Sequence, residues 1–324
     1  MLKVYKTFEI DDDLWQKITD GFNESFERNV AIDSIRNGYC TANKLGYGYH
    51  AVDTDDETGE VRGFYTCSPS FYKHGLNVVL GGSTYVRKKY RKDVFITYDM
   101  EMALRETAKA DGFDLLIGIS NYNSIEYARK ILKAKDVGSL SYYLLPRNLS
   151  RTLHKKGIRF ADGLLRLLAD SYILLHSILA SICNNKEEEV DYSLELDDDF
   201  YNARFHGEKY KQYTEGNLFA YYTISNEDGA RVAYLMDFRE NGVRTKKALV
   251  KSVKYLSRSE NPDAILYVGM LNLRQHLLFK LPFSKEPKHF PLTYRILDKS
   301  NSIRFEGINN PKNWDFSLMN FDVR

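Results

Sequence analysis

The residues best suited to chemistry form a run of cations between a predicted strand and a predicted helix. Residues 85–96 are Tyr-Val-Arg-Lys-Lys-Tyr-Arg-Lys-Asp-Val-Phe-Ile. A helix N-terminus carries unpaired N–H groups and a partial positive charge, so a basic loop directly before it is suited to binding a pyrophosphate. The strand before the loop can also pair its backbone with an extended ligand. Charge alone does not separate this interpretation from a solvated basic turn that ends the strand.

The elements that position this loop follow from the spacing of apolar residues. The pattern predicts a helix over residues 12–29 and strands over residues 47–53, 63–68 and 76–86. Between the first two strands, the segment from Asp55 to Gly59 contains residue types that tolerate a tight reversal, which predicts antiparallel neighbours.

After the third strand the pattern becomes helical, and the apolar residues from Phe95 to Ala108 fall on one stripe. The short apolar run 113–119 is typical of a strand buried on both faces, and a second helix is predicted over 123–134. The order strand, helix, strand indicates a right-handed crossover. The two strands are therefore predicted to be parallel neighbours in a mixed sheet.

Residues 151–190 differ from the rest of the chain because they combine an apolar helical run over 163–183 with a charged segment. Arg166, Asp170 and His176 interrupt the apolar run, which argues against a membrane span. We interpret the segment as a helix packed between domains followed by a linker. The alternative is an interfacial helix that lies on a membrane or on a partner.

The second half repeats the order of elements in the first half. It contains a predicted strand over 230–238, helix over 244–257, strand over 263–269 and helix over 272–280. A chain of 324 residues has the length of two ordinary domains. We predict domains over residues 1–150 and 191–324; a chance recurrence of the same units is the alternative. Residues 237–242, at the place of the basic loop, are Asp-Phe-Arg-Glu-Asn-Gly, so the second domain is predicted to be a degenerate copy.

Composition excludes several classes of protein. The hydrophobic fraction of 43% and the charged fraction of 28% predict a folded, water-soluble chain. A net charge of +2 is too small to gather nucleic acid non-specifically, so we expect no specific nucleic-acid partner. Three widely spaced cysteines and seven histidines without metal-site spacing predict no disulfide framework and no metal. The N-terminus lacks the apolar run of a signal peptide, and we expect a cytoplasmic protein.

The order of strand, basic turn, long helix, buried strand and then Asn121-Tyr122-Asn123-Ser124 resembles the coenzyme A-binding core of the GNAT superfamily of N-acyltransferases. This resemblance implies a mixed-sheet α/β fold with two tandem GNAT-like domains, and acetyl-CoA or another acyl-CoA as cosubstrate. It implies that Val86 ends the splayed strand that receives pantetheine and that Asn121, Asn123 and Ser124 lie near the pantetheine arm and the transfer point. The implied pyrophosphate loop consists of Arg91, Lys92, Asp93, Val94, Phe95 and Ile96.

Two loop positions depart from the superfamily pattern, since Val94 and Ile96 stand where small residues are usual. A bulky side chain there hinders close approach of the backbone to phosphate. The tyrosine that often serves as general acid falls at Ala128, and Tyr127 is its neighbour. A shift of one residue rotates a helical side chain by about 100°.

The base that takes the proton of an attacking amine has several candidates in the sequence. Glu126, His74 and Asp99 are conceivable, and Tyr127 is preferred as the catalytic residue.

The resemblance implies an N-acyltransferase that moves an acyl group, acetyl in the first instance, from coenzyme A to an amine, which we expect to be held in the cleft between the two domains. Residues 301–324 are similar to the C-terminal signature of two-lobed members associated with bacterial surface-polysaccharide loci, which implies an amino-sugar acceptor. The departures at Val94, Ile96 and Ala128 leave a non-catalytic GNAT-like scaffold as an alternative. The basic turn leaves a transfer-RNA-dependent aminoacyl transferase as another.

Overall fold

Two mixed sheets carry the fold, and each belongs to its own unit of the chain. The computed structural model describes residues 1–40, 43–121, 124–148, 162–300 and 302–321. The first unit comprises Met1–Ser139, Asp191–Arg204 and Phe290–Asn313, and the second comprises Leu140–Val190, Phe205–His289 and Trp314–Arg324.

Seven helices and thirteen strands are described. The helices are α1 (Asp12–Phe26), α2 (Ile32–Cys40), α3 (Phe95–Ala110), α4 (Ile125–Lys130), α5 (Asp162–Ile182), α6 (Asp198–Arg204) and α7 (Lys246–Ser259). The strands are β1 (Leu2–Lys6), β2 (Tyr49–Thr54), β3 (Val61–Tyr72), β4 (Leu76–Val86), β5 (Leu115–Ile119), β6 (Lys135–Ser139), β7 (Ser141–Pro146), β8 (Lys211–Glu215), β9 (Leu218–Glu227), β10 (Ala230–Glu240), β11 (Ala264–Gly269), β12 (Phe279–Lys280) and β13 (Pro291–Ile296).

The sheet of the first unit has the strand order β1-β2-β3-β4-β5-β13-β6. β4 and β5 are parallel, and the other described pairs are antiparallel. The predicted antiparallel strands and the predicted parallel crossover are confirmed. The predicted reversal is also present, because the Asp55 carboxylate accepts hydrogen bonds from the N–H groups of Glu57 and Thr58 at 3.1 and 2.9 Å.

The sheet of the second unit has the order β12-β7-β11-β10-β9-β8, in which β10 and β11 are parallel. Helix α7 connects these two strands, as α3 connects β4 and β5. The second unit therefore repeats the strand, helix, strand crossover of the first, as the sequence predicts.

The two sheets exchange strands between the halves of the chain. β7, which the sequence division assigns to the first domain, pairs with β11 in the second sheet, and β13 lies between β5 and β6 in the first sheet. The observed units therefore differ from contiguous domains over 1–150 and 191–324. The apolar pattern of a strand shows which of its faces is buried, but it does not show which sheet the strand joins.

The helix predicted over 272–280 is wrong. The side-chain amide of Gln275 accepts from the N–H of Leu278 at 2.8 Å and donates to its carbonyl at 3.1 Å, which closes a short loop before β12. Leu273, Leu277 and Leu278 are buried. A loop that packs its leucines inward therefore produces the spacing typical of a helix.

Helix α3 packs its predicted apolar stripe into the core of the first unit. Ile96, Met100, Leu104 and Ala108 are buried in one cluster with residues of β2, β3, β4 and β5. Gly63 on β3 makes room for this packing, since a Cβ atom there would lie 2.9 Å from the Cγ2 atom of Ile96. The stripe fixes the rotation of α3 and anchors the loop that precedes it.

A buried ion-pair network joins α3 to β3 and β13. The Glu101 carboxylate, which is fully buried, forms ion pairs with Arg105 and with the Nε of Arg295 at 2.6 Å, and it accepts a hydrogen bond from the Tyr65 hydroxyl at 3.2 Å. Burial and the Glu101 charge raise the pKa of Tyr65 well above its ordinary value, so its hydroxyl keeps its proton. The network makes this part of the core dependent on one carboxylate.

Replacement of that carboxylate is expected to be costly. In Glu101→Gln, two arginines lose their countercharge in the core, so the free energy of unfolding should fall by about 3–5 kcal/mol. Urea denaturation at neutral pH measures this change. Glu106→Gln on the exposed side of the same helix is the control, with a change below about 0.5 kcal/mol. Equal effects of the two variants would contradict the role given to the network.

Candidate active site

β4 and β5 separate at their carboxyl ends. They are in parallel register over four residue pairs, the last of which joins Gly81 to Gly118. β4 then continues to Val86, and β3 pairs with it along its whole length. One edge of β4 after Gly81 therefore has no strand partner among the described residues. Val86, the predicted end of a splayed strand, is the last residue of this edge.

A β-bulge marks the point of separation. Between the pairs Cys67–Gly81 and Tyr65–Thr84, β3 has one residue and β4 has two. A bulge bends its strand and increases its twist. The backbones also approach closely here, since a Cβ atom on Gly81 would lie 3.1 Å from the Tyr65 hydroxyl and 3.4 Å from the Ile117 carbonyl. The glycine and the bulge together turn β4 away from β5.

The first cations of the basic loop are neutralised within the first unit. Arg87 and Lys89 pair with Glu60, and the Nζ of Lys88 lies 2.8 Å from the Glu27 carboxylate. Arg87 is also buried. These three cations hold the loop in place. Because they are paired with glutamates, they add little net positive charge that could attract a ligand.

The last two cations of the loop are different. Arg91 and Lys92 are exposed, and neither has an ion pair with any residue that the structure describes. The Nε of Arg91 donates to the Val86 carbonyl at 2.8 Å, which holds the guanidinium at the end of β4. The cations that remain available to an anion therefore lie where the unpaired edge of β4 ends.

The bulky residues of the loop do not act alike. Ile96 is buried in the core beside α3, so its side chain is turned away from the loop surface. Val94 and Phe95 remain exposed by 56% and 64%. The steric hindrance to phosphate expected from Ile96 is therefore absent. The hindrance expected from Val94 remains, because its side chain is not packed into the core.

Asp93 introduces a negative group at the start of α3. Its carboxylate accepts a hydrogen bond from the N–H of Phe95 at 3.0 Å, and Val94, the N-cap residue, offers no side-chain cap. A phosphate at this helix terminus would compete with Asp93 for the same donor. Asp93 thus limits how strongly the loop binds an anion.

The predicted pantetheine-arm residues hold the start of α4. The Asn121 side chain accepts from the N–H of Ser124 at 3.0 Å, and the Ser124 hydroxyl accepts from the N–H of Asn121 at 3.1 Å. Both residues are exposed directly after β5. Asn123 lies outside the described residues. The described pair closes the turn before α4, and its predicted contact with a cofactor stays a prediction.

Tyr127 lies on the face of α4 that meets the basic loop, whereas Ala128 is buried. The Tyr127 hydroxyl donates to the Val94 carbonyl at 2.7 Å. Partial burial, with the charge of Glu101, raises the pKa of Tyr127, so the hydroxyl keeps its proton. This protonation suits donation of a proton to a leaving group better than removal of a proton from an amine.

The other candidate bases are less suitable. His74 precedes β4, so the strand rise places it roughly 20 Å from the separation at Gly81. Glu126 is paired with Lys130 at 2.8 Å. A cavity of about 590 Å³ lies beside His74 and Leu76, at the opposite end of β4 from the basic loop. Within the described ranges, no group of three or more potential ligands could hold a metal ion.

Sequence reasoning missed the polar residues beneath the separation point. The Tyr65 hydroxyl lies next to Gly81, and an added Cβ on Gly118 would lie 3.5 Å from an Nη atom of Arg295. Arg295 is a cation within the apolar strand Pro-Leu-Thr-Tyr-Arg-Ile, which was the signal available in the sequence. These residues support the floor of the site through Glu101.

The second unit contains the same strand separation. β10 and β11 pair over only three residues, and β10 carries a bulge at Met236 before continuing to Glu240. β7 occupies one edge of β11 along its whole length. The segment 314–319 occupies the end of the other edge, beyond the pairs with β10, because Leu318 donates to the Val268 carbonyl at 3.1 Å and Met270 donates to the Phe316 carbonyl at 2.7 Å.

Segment 314–319 is tightly packed against β11. Trp314, Phe316 and Met319 are fully buried, and a Cβ atom on Gly269 would lie 2.6 Å from the Cβ of Ser317. The chain itself therefore supplies backbone hydrogen bonds at the end of β11 in the second unit.

The cation before α7 is also neutralised. Arg244 is fully buried, and its guanidinium contacts the carboxylates of Asp237 at 3.0 Å, Glu187 at 3.4 Å and Asp315. Thr245 caps α7 by accepting from the N–H of Ala248 at 3.0 Å. The helix terminus and the cation both have internal partners, which gives the predicted degeneracy of the second unit a physical basis.

Comparison with known proteins identifies the fold. No protein-family model matches the sequence, and no curated protein matches it. The structure is similar to a GCN5-related N-acetyltransferase from Anabaena variabilis ATCC 29413, with 9% identity, 92% of this chain and 73% of that chain covered, and a TM-score of 0.56. It is also similar to a GCN5-related N-acetyltransferase from Kribbella flavida, with 13% identity, coverage of 92% and 71%, and a TM-score of 0.57. A probable N-acyltransferase from Enterococcus faecalis V583 matches with 10% identity, coverage of 92% and 73%, and a TM-score of 0.53.

The class that these structures define is the mixed α/β fold of the GCN5-related N-acetyltransferases, and this chain has that fold in a two-unit form. At these sequence identities the similarity establishes the fold.

Glu187 makes the stability of the second unit sensitive to pH. Desolvation raises the pKa of its carboxyl to about 7, although the nearby Arg244 opposes the shift. The folded protein holds this proton more tightly than the unfolded chain, where a glutamate has a pKa of about 4.3. The stabilisation is therefore fully present below about pH 4 and is lost as the pH rises to about 7.

Thermal unfolding between about pH 5 and pH 7.5 tests this prediction, with wild type losing more stability than Glu187→Gln over that range. Glu188→Gln, at the exposed neighbouring position, should follow wild type. Parallel curves for wild type and Glu187→Gln would contradict the assignment.

Proposed function

We propose that the protein is an N-acyltransferase that moves an acyl group, acetyl in the first instance, from coenzyme A to an amine. The observation that carries this proposal is the unpaired edge of β4, which ends at the two unneutralised cations Arg91 and Lys92. An extended ligand with amides can pair with such an edge, and its phosphates can reach the cations and the start of α3. The second unit, in which segment 314–319 packs against the end of β11 and Arg244 is paired with carboxylates, is proposed not to bind the cofactor.

Coenzyme A would bring the acyl group as a thioester. In the transfer, the amine nitrogen forms a bond to the carbonyl carbon and releases a proton to water, the carbon–sulfur bond breaks, and the sulfur leaves as a thiolate that takes up a proton from a donor. Tyr127 holds a proton at its hydroxyl beside the basic loop, and its raised pKa supports a role as the donor to that sulfur. For this role the hydroxyl has to leave the Val94 carbonyl.

The acceptor in this proposal is the amine of an amino sugar used in surface-polysaccharide synthesis, and the reaction takes place in the cytoplasm. Support comes from the resemblance of the sequence to two-lobed acyltransferases of polysaccharide loci and from the two-unit fold. A panel of nucleotide-linked amino sugars, compared with polyamines and peptides, tests the acceptor class through release of free thiol from acetyl-CoA.

The contact of Asp93 with α3 favours a second candidate, a GNAT-like protein that does not catalyse transfer. The carboxylate competes for the N–H that a phosphate would use. Binding of acetyl-CoA without transfer to any amine in the panel would support this candidate, and an affinity gain in Asp93→Asn would confirm the competition.

Binding should depend on the unpaired cations and not on the paired ones. Arg91→Gln and Lys92→Gln should each weaken acetyl-CoA binding about tenfold, because each removes a charge-assisted contact to phosphate. Lys88→Gln is the matched control in the same loop and should bind as wild type, since Lys88 is paired with Glu27. Calorimetric titration gives the affinity and should show one molecule of acetyl-CoA bound per chain.

Absence of binding by wild type would remove the cofactor from the proposal, and two bound molecules would contradict the account of the second unit.

Transfer should depend on the Tyr127 hydroxyl. Tyr127→Phe is expected to lower kcat about a hundredfold, because it removes the proton donor, while the affinity for acetyl-CoA stays unchanged. Tyr98→Phe, a half-buried position on α3, is the control. Unchanged kcat in Tyr127→Phe would exclude Tyr127 as the donor.

A further inference from the structure

Helix α5 has two apolar faces, and only one of them is used inside the second unit. Ala169, Ile173, His176 and Ala180 form the inner face and are buried. Ile173 and Ala180 belong to the core cluster that also contains the apolar side of α7. The rotation of α5 is therefore fixed, and its opposite side is directed outward.

The charged side chains of α5 are also engaged within the second unit. Arg166 lies 3.5 Å from the buried carboxylate of Asp263, and Asp170 accepts from Arg147 at 3.0 Å. Because these pairs lie toward the unit, no charged side chain interrupts the outer arc of the helix.

The outer face carries an unusual amount of exposed apolar surface. Eight large aliphatic side chains, each exposed by 40% to 79%, occupy one arc of the helix. They are Leu164, Leu167, Leu168, Leu174, Leu175, Ile178, Leu179 and Ile182. Ser171 is the only polar residue among them on that arc. Contiguous surfaces of this kind are typical of sites that contact a membrane or another protein.

A basic, aromatic rim adjoins this face. Phe279 is 53% exposed and stacks on Tyr172 of α5, with ring centroids 5.7 Å apart. The chain around it carries the exposed cations Arg274, Lys280, Lys285 and Lys288 and the 61% exposed Phe283. Its one acid, Glu286, accepts a hydrogen bond from the N–H of Tyr142 at 3.3 Å. Exposed phenylalanine with lysine beside an aliphatic face is typical of interfacial membrane binding.

We propose that the outer face of α5, with the rim at Phe279 and Lys280, binds the surface of an anionic membrane. The aliphatic arc enters the boundary between headgroups and acyl chains, and the rim cations contact the lipid phosphates.

The orientation follows from the two faces. Among the described helices, α5 alone is long and apolar enough to cross a membrane by length and composition. Its inner face is packed in the core, and Arg166 and Asp170 are paired with residues of the second unit. The helix therefore lies along the surface, over about 30 Å.

A membrane explains the surface better than a second copy of the chain does. In a two-fold dimer the same patch is present on both sides, so each copy would bring its basic rim to the interface without bringing an acidic surface to meet it. An anionic lipid surface supplies both a hydrocarbon layer and the opposite charge.

Vesicle flotation with the full chain tests the proposal. Wild type should float with phosphatidylcholine vesicles that contain phosphatidylglycerol, and less with phosphatidylcholine alone. Leu168→Glu combined with Leu175→Glu should reduce the bound fraction more than about tenfold, because two charges replace leucines that would enter the bilayer. Lys280→Glu combined with Lys288→Glu should remove the preference for anionic lipid.

The control is Phe8→Glu, a 72% exposed apolar position in the first unit, which should bind as wild type. Leu168 and Leu175 are 56% and 53% exposed, so the double variant should keep the urea midpoint of wild type, which excludes misfolding as the cause. Failure of wild type to float would overturn the proposal. The proposal would also be overturned if the leucine double variant floated as well as wild type. The same holds if wild type formed a dimer that this variant dissociates and neither protein bound vesicles.

Discussion

A β-strand has two hydrogen-bonding edges, and the use of these edges organises both units. In each unit a bulge turns one strand of the parallel pair away from the other, so backbone groups on the facing edges need another partner. Buried backbone groups without partners are costly, which makes the separation point a place where either the chain or a ligand must supply hydrogen bonds. In the second unit segment 314–319 supplies them at the end of β11, where Leu318 donates to the Val268 carbonyl and the Phe316 carbonyl accepts from Met270. The first unit directs its free edge toward the end of the basic loop.

The cations near the parallel strands also differ between the two units. In the first unit three cations of the loop are paired with glutamates, and Arg91 and Lys92 remain available. In the second unit Arg244 is buried among three carboxylates, where it stabilises the interior and cannot act on an external anion. The same cation type is thus structural in one crossover and available for binding in the other, and the difference lies in the neighbouring acids.

Much of the fold could be predicted from the sequence because its elements have strong local patterns. The alternation of β4 and the apolar stripe from Ile96 to Ala108 are properties of contiguous residues, and both elements were predicted within a few positions. The exchange of β7 and β13 could not be predicted, because pairing over long separations leaves no local trace. The loop near Gln275 resembled a helix, since buried leucines at helical spacing also occur in irregular chain.

The candidate site was predictable in outline and not in detail. A run of five cations marks the loop, but the sequence does not show that Glu60 and Glu27 neutralise part of it. Similarly, Ile96 as a bulky residue suggested obstruction, and only its packing against Gly63 shows that the side chain points inward. The ion pairs of a side chain and the direction in which it points depend on the tertiary structure. The sequence alone therefore does not show which residues can bind a ligand and which support the fold.

The placement of β13 between β5 and β6 has a consequence for biosynthesis. On a ribosome, β5 and β6 emerge early, but the strand that joins them emerges only after roughly 150 further residues, which takes roughly 10–30 s at ordinary rates of synthesis. During that interval the buried edge of β5, with Leu116 and Ile117, has no native partner. The nascent chain therefore depends on protection of an apolar strand edge, and a truncated first half made alone would carry that edge permanently.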